Sequence, residues 1–367
     1  MNWDIVFKID PYSVLFLWTM FEKKDLLNVP KDKLFEELLT QGWEKYRLKQ
    51  LDEWLWKHAI RDFQAMSNLS KTQRAYLDEH FYIPALIESK IQTSLDGTMK
   101  FRFKLFDGPF IESVLIPVPD ENRFTVCVSS QAGCSLSCTF CATGQMGLIR
   151  QLTASEIFDQ YILVNKKCIE VYGKPLSNIV YMGMGEPLLN YKNVIQSIEK
   201  LTSPDGPMLS SKRITISTAG IAKMIKKLAD DGLKVNLALS LHAGDDLKRN
   251  KMMAINETNN LASLIESLKY FYKKTGNRIS YEYIAFDGFN DQISDAKNLI
   301  RLCSQFPVRV NIIEYNRVPG MDFTKSTEDQ INRFAQEVRK HGIMITVRRS
   351  RGKDIDAACG QLANQEA

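Results

Sequence analysis

The chain has 367 residues, 44% of them hydrophobic and 25% charged, the composition of an ordinary globular protein long enough for two folded units. Seven cysteines, an odd number in a chain without an export signal, argue against a disulfide framework, and a net charge of +5 permits a polyanionic partner without requiring one. The longest apolar run, residues 12–21, is too short to span a bilayer and lacks a small-residue cleavage site, so a cytoplasmic address is expected.

All five tryptophans (Trp3, Trp18, Trp43, Trp54, Trp56) fall near the start of the chain. From residue 31 to 81, Leu34, Leu38, Leu48, Leu51, Trp54 and Leu55 recur at helical spacing. Between residues 92 and 118 the texture changes to alternation, as in Met99-Lys-Phe-Arg-Phe-Lys-Leu-Phe106, which predicts strands with a turn at Asp107-Gly108. Glu112 lies in such a run and reads, on pattern alone, as a solvent-facing strand residue.

From residue 123 onward, β-branched runs at 124–129, 178–184, 213–218, 234–241, 278–286, 308–315 and 343–347 alternate with amphipathic helical stretches. Start signals such as Thr153-Ala-Ser-Glu156 and Ser326-Thr-Glu-Asp329 open two of the helices. Alternation of this length predicts an α/β fold with a parallel sheet, and too few units for a full eightfold barrel predict a partial one. Polar residues gather where these runs stop: Gly185 and Glu186, Ser217, Ser240 and His242, and Asn316. In parallel α/β folds the carboxyl ends of the strands share one rim, so these distant residues should meet there.

The run Cys134-Ser-Leu-Ser-Cys-Thr-Phe-Cys141 follows the first strand, on a stretch punctuated by Gly133, Gly144 and Gly147. Structural zinc takes four protein ligands, so zinc here would need a remote fourth. A redox CxxC pair leaves one thiol unexplained. A cubane iron–sulfur cluster accounts for all three, because three thiolates leave the fourth iron open to bind a substrate. Cys168 and Cys303, in helical stretches, read as small buried hydrophobes. Cys359 lies in residues 354–360, a polar, glycine-containing segment that reads as a mobile loop.

The cysteine spacing, followed by Ala142-Thr-Gly144 and Met182-Gly-Met-Gly-Glu-Pro-Leu188, resembles the radical S-adenosylmethionine superfamily. The resemblance implies a partial (β/α)6 barrel in which Cys134, Cys138 and Cys141 hold a [4Fe–4S] cluster. It also implies that S-adenosylmethionine chelates the open iron. Gly185 and Glu186 would hold the amino end of that cofactor, and Ser217, Ser240, Leu241, His242 and Asn316 its ribose, carboxylate and adenine portions. Four further stretches, Val126-Cys-Val-Ser-Ser-Gln-Ala-Gly-Cys134, Ser240-Leu-His242, Tyr281-Glu-Tyr-Ile-Ala-Phe286 and Asp354-Ile-Asp-Ala-Ala-Cys-Gly-Gln-Leu362, narrow this. They resemble the RlmN/Cfr group of RNA methyltransferases, over residues 30–363 or so. Pro187 matches the RlmN form, which modifies carbon 2 of adenine rather than carbon 8. A carbon-8 enzyme of the Cfr type is the near alternative, and a non-catalytic RNA-binding protein with a structural metal the distant one.

In the scheme this group implies, Cys359 is the methyl carrier and two S-adenosylmethionine molecules are used per turnover. Cys127 resolves the protein–RNA adduct through a transient disulfide with Cys359, and Glu112 accepts a proton, although the residues between Glu112 and Cys127 carry a small insertion at 118–120. The domains implied are a helical RNA-binding region at 1–90, a strand-rich connector at 91–120, the barrel at 121–350 and the carrier loop at 351–367. The partners implied are 23S rRNA and tRNA and an electron donor such as flavodoxin or ferredoxin, with no membrane, the enzyme acting as a monomer. Two basic clusters suit such a substrate: Val347-Arg-Arg-Ser-Arg-Gly-Lys353, beside the carrier loop, and Trp43-Glu-Lys-Tyr-Arg-Leu-Lys49. In the second, the aromatics either stack on bases or form helix core.

Overall fold

All seven apolar runs beyond residue 123 form strands of one sheet, in a computed structural model that describes residues 23–364. Trp3, Trp18 and the apolar run at 12–21 lie outside the described residues. The described residues divide into two compact units, 23–85 with 203–207, and 86–202 with 208–364.

The larger unit is built on a ten-stranded sheet. Strands β1 (Ile87–Thr93), β2 (Met99–Lys104) and β3 (Phe110–Val118) form an antiparallel meander that continues into β4 (Arg123–Cys127). Six parallel strands follow beside β4: β5 (Asn178–Tyr181), β6 (Ile214–Thr218), β7 (Asn236–Ser240), β8 (Ile279–Ala285), β9 (Arg309–Glu314) and β10 (Ile345–Arg348). Each strand lies next to its sequence neighbour, and the two end strands do not pair. That is the topology of a partial barrel, with six crossovers and a seventh parallel strand to finish it.

The crossover helices start where side chains can satisfy their first amides. Thr153 and Glu156 form a capping box at Ala154–Tyr172, and Thr327, rather than Ser326, caps Glu328–Lys340. Cys168 and Cys303 are buried in helices, as expected of small hydrophobes. Along β8 the pattern follows the pleat. Tyr281 and Tyr283 are fully buried on one side, and Ser280, Glu282 and Ile284 alternate with them on the other.

Residues 351–364 differ from the mobile loop expected of their polarity. Ser94 Oγ donates to Asp354 Oδ1 at 2.5 Å, Gly352 N to Asp96 Oδ2 at 3.0 Å and Asn364 Nδ2 to Phe110 O at 2.6 Å. Ala357, Ala358 and Leu362 are buried. The polar residues of this segment are polar because they bond to the β1–β3 meander, which no local pattern reveals.

The basic run beside it also differs from a row of cations free for phosphate. Arg349 and Lys353 pair with Glu314 at 2.5 and 2.8 Å, Arg348 with Glu282 at 3.5 Å, and Arg351 donates to Pro117 O at 3.1 Å. Burial alone would raise the Glu314 carboxyl, but hydrogen bonds from Lys353 and Arg349 and the charge of Lys325 hold it down at about 2. The cations answer carboxylates in the middle of β8 and at the end of β9.

The smaller unit contains the helices Lys31–Thr40, Lys45–Asp52 and Lys71–His80. Trp43 and Trp56 are buried with Leu38, Leu51 and Leu77, so Trp43 takes the core alternative. Tyr46 is 50% exposed, with the Arg47 guanidinium 4.7 Å from its ring centre. No helix among the described residues is long and apolar enough to cross a membrane.

Gly133 sits at the base of the cysteine loop, where Gln131–Gly133 pairs with Leu148–Gln151. A Cβ there would lie 1.9 Å from Gly147 O, at φ +77°, whereas Gly147 (φ +69°) has nothing within 4 Å. Gly147→Ala should cost only the left-handed strain, about 1 kcal/mol. Gly133→Ala adds a backbone clash and should cost about 3 kcal/mol. Equal losses in chemical denaturation of the two variants would contradict this packing.

Candidate active site

The carboxyl-terminal parts of β5 to β9 open on a cavity of about 150 Å³, which neither Cys127 nor Glu112 lines. Cys134, Cys138 and Cys141 line it together with Cys359. The cysteine loop is held from several sides. Cys134 N donates to Gly147 O at 2.9 Å, Thr139 N to Met252 O at 3.0 Å and Cys141 N to Cys138 O at 3.2 Å. Gly144 packs so closely that an added Cβ would sit 3.0 Å from Cys138 N. Burial raises the Cys134 thiol to about 11, and burial followed by the neighbouring Cys141 thiol raises Cys138 further. Thiols in this state keep their protons until a metal displaces them.

Facing the thiols are Gly185, Glu186, Ser217, Ser240 and His242, from the ends of β5, β6 and β7. Gly185 is at φ +94°, and a Cβ there would come within 2.4 Å of the Gln131 side chain. Gln131 Oε1 accepts from Glu186 N at 2.7 Å, which ties this turn to the cysteine loop. The Glu186 carboxylate accepts from Leu188 N at 3.0 Å and Ala219 N at 2.7 Å. Burial nevertheless lifts it to about 7, so a cationic ligand group would relieve it.

His242 is buried at φ +55°, and its Nδ1 accepts from Ile284 N at 3.1 Å. A backbone amide can only donate, so the ring proton is on Nε2. Burial, reinforced by the Arg249 charge, lowers this imidazole to about 3. Leu241 and Asn316 are buried but do not line the cavity. Asn316 Nδ2 donates instead to Ser350 Oγ at 2.9 Å.

Cys359 retains solvent access, yet the atoms around its thiol raise it by burial, opposed by the Arg348 charge. The opening to solvent and the raised thiol agree if Cys359 faces the cavity rather than the outer surface. Its loop is locked to the cysteine loop: Ala142 N donates to Gly360 O at 2.7 Å, and Thr143 Oγ1 to Leu362 O at 2.6 Å. Cys127, at the end of β4, is raised first by burial and then by the nearby Cys359 thiol.

Glu112 is 1% exposed, so it does not face solvent. In the register of β2, β3 and β4, Lys100 and Cys127 both stand opposite Val114, which puts Glu112 on their face of the sheet. Lys100 Nζ lies 3.6 Å from Glu112 Oε1, and Ala363 N donates to Oε2 at 3.0 Å. The strand pattern misread Glu112 because the C-terminal segment covers a face that a lone meander would leave wet.

Sequence reasoning missed Arg249. It sits in a charged stretch that reads as surface, yet it is fully buried, donating to Ser240 O and Leu241 O, both at 3.2 Å, and to Ala219 O. Gln131 carries no local signal in the sequence either, although its side chain accepts from Glu186 N.

These residues fit an iron–sulfur cluster with S-adenosylmethionine. Among the described residues no three His, Cys, Asp or Glu side chains converge as a single metal ion requires. A cubane asks only one thiolate per iron, and three thiols, Cys134 buried and Cys138 and Cys141 half-buried, share one cavity with a carboxylate that a ligand's ammonium would complete.

The comparisons agree. Residues 128–302 match the model of the radical SAM superfamily, and residues 24–83 that of the ribosomal RNA large subunit methyltransferase N-terminal domain. A crystal structure of a radical SAM methyltransferase from Sphaerobacter thermophilus superposes with a TM-score of 0.87 at 39% identity, covering 93% of this chain and 99% of that one. Fold and cavity thus define a radical S-adenosylmethionine enzyme, with a [4Fe–4S] cluster and S-adenosylmethionine as its cofactors. "Probable dual-specificity RNA methyltransferase RlmN" of Cytophaga hutchinsonii is 51% identical over 95% of both chains, and that of Flavobacterium johnsoniae is 46% identical over 94% of this chain and 99% of the relative. The chain belongs to the RlmN family of RNA methyltransferases.

With its pKa near 3, His242 stays neutral across the working range. Folding energy is therefore lost as pH falls from about 6.5, where an unfolded histidine takes up its proton, toward 3. In NMR spectra the His242 ring signals should not shift between pH 5 and 8. A titration midpoint in that interval would contradict the buried Nε2–H form.

Proposed function

We propose that the enzyme methylates carbon 2 of an adenosine in 23S rRNA near the peptidyl transferase centre, and of the adenosine beside the tRNA anticodon, through S-methylated Cys359. The observation that carries this reading is that Cys359 lines the same cavity as the three cluster thiols.

Adenine carbon 2 is a poor nucleophile and does not attack a methylsulfonium, whereas a thiolate does. When bound, the cluster and S-adenosylmethionine supply the methyl group and a radical able to take hydrogen from it. The chain's residues do the rest. Cys359 Sγ carries the methyl as a thioether and, once its methyl carbon has joined the base, holds the RNA covalently. Glu112, 1% exposed and beside Lys100, takes the proton that leaves carbon 2, while the radical adduct gives up one electron to the cluster. Cys127, at the adjoining strand end, then attacks the Cys359 sulfur, so that a disulfide forms as the methylated base departs. Gly185 and Glu186 receive the ammonium of S-adenosylmethionine, and Ser217, Ser240 and His242 border the rest of it, while Leu241 and Asn316 are buried outside the cavity lining. The smaller unit grips folded RNA, with exposed Tyr46, backed by the half-buried Arg47, offering a stacking surface, and the target base leaves its own stack to reach the cavity. The reading carries with it a cytoplasmic monomer served by reduced flavodoxin or ferredoxin.

Nucleoside mass spectrometry on RNA from cells with and without the enzyme tests it. Loss of 2-methyladenosine on deletion is expected; loss of 8-methyladenosine would assign the Cfr-type reaction instead. Under turnover, Cys127→Ala should accumulate a covalent protein–RNA adduct. Cys359→Ala should keep its iron yet form neither adduct nor methylated base, and retained methylation would remove Cys359 from the pathway.

A further inference from the structure

We propose that Glu282 is a ligand-binding residue of this cavity, its Oε2 accepting a hydrogen bond from an N–H or O–H donor of a bound adenosine. The inference rests on the reading above for the kind of ligand and on β8 for the site.

Strand register aligns Ser240, Glu282 and Asn311 across β7, β8 and β9. Cross-strand partners share a face, so Glu282 points the same way as Ser240, into the cavity it lines with Cys359 and the cluster thiols. Its carboxylate is 3% exposed. Oε1 is taken twice, by Ser280 Oγ and Asn311 Nδ2, each at 2.8 Å. Two donors on one oxygen fix the plane of the carboxylate and hence the direction of the other oxygen.

That other oxygen, Oε2, is buried and receives a hydrogen bond from no described residue. Its nearest charge is Arg348 Nη1 at 3.5 Å, an ion pair without a hydrogen bond. Service as a counter-ion for Arg348 is the plainer role. It does not explain the burial, because Arg348 is 51% exposed and a solvated carboxylate would serve it equally. A buried acceptor oriented by two neighbours and left without a hydrogen-bond donor fits a receptor whose donor arrives with the ligand.

A carboxylate complements the exocyclic amine of adenine and the hydroxyls of ribose and rejects carbonyl oxygens. S-adenosylmethionine and the target nucleotide are both adenosines. Ser240, beside Glu282 in register, faces the first; Cys359, across the cavity wall, has to reach the second.

The test uses cluster-reconstituted enzyme under anaerobic conditions, with Glu282→Gln and Glu282→Ala. Binding of S-adenosylmethionine is measured by equilibrium dialysis. Binding of an RNA hairpin is measured with adenosine, and with purine riboside lacking the amine, at the target position. The expected result is a loss of tenfold or more (about 1.4 kcal/mol) for one ligand, the other staying within twofold, at unchanged iron content and melting temperature. Loss on the S-adenosylmethionine arm assigns Oε2 to the cofactor. Loss of the preference for adenosine over purine riboside assigns it to the target base. Both ligands within twofold of wild type would overturn the proposal, as would parallel losses accompanied by falling iron content and melting temperature. Since binding is read without turnover, failure to find 2-methyladenosine in RNA would leave this outcome standing by itself.

Discussion

The clasp between the C-terminal segment and the cysteine loop is the contact on which the active site depends. Ala142 and Thr143, directly after the last cluster cysteine, bond to Gly360 and Leu362, the residues that flank Cys359 and Gln361. Two residues of reach therefore separate a candidate metal ligand from the candidate carrier. The far end of the same segment bonds to Glu112, and its near end to Asp96 and Ser94. A short stretch of chain thus joins the antiparallel meander to the rim of the parallel sheet. The first parallel strand, carrying Cys127, lies where the two kinds of pairing meet.

Electrostatics divides along the same seam. On the β8–β9 side, cations of residues 348–353 compensate the carboxylates of Glu282 and Glu314. On the β6–β7 side the positive charge is Arg249, sealed beneath the strand ends and still cationic, because its burial lowers it only to about 10. A cluster with thiolate ligands is anionic, and a buried guanidinium close to Cys138 offsets that charge while its hydrogen bonds hold two strand ends in register.

Much of this was legible without coordinates. β-branched runs bounded by capping signals located the parallel strands, since period and caps are local properties. The rim emerged from one topological rule, that parallel strands end together, and it brought Glu186, Ser217, Ser240 and His242 to one cavity. What stayed hidden was non-local. Glu112 looks solvated until the C-terminal segment covers it, and Arg249 looks like surface until two strand ends offer it three carbonyls. The basic run before Cys359 promises free cations until buried Glu314, one strand away, and Glu282, two strands away, claim them. Leu241 and Asn316 stand just past strand ends yet do not line the cavity, because strand-end position does not say which way a side chain turns.

The central claim is that Cys359 shares a cavity with the cluster thiols so that it can take and pass on a methyl group. Mass spectrometry of the protein, reconstituted with iron and sulfide and incubated with S-adenosylmethionine and reductant without RNA, tests it directly. The account predicts one added methyl group, located on the peptide containing Cys359. An unmodified Cys359 peptide, or a methyl group found on another residue, would contradict it.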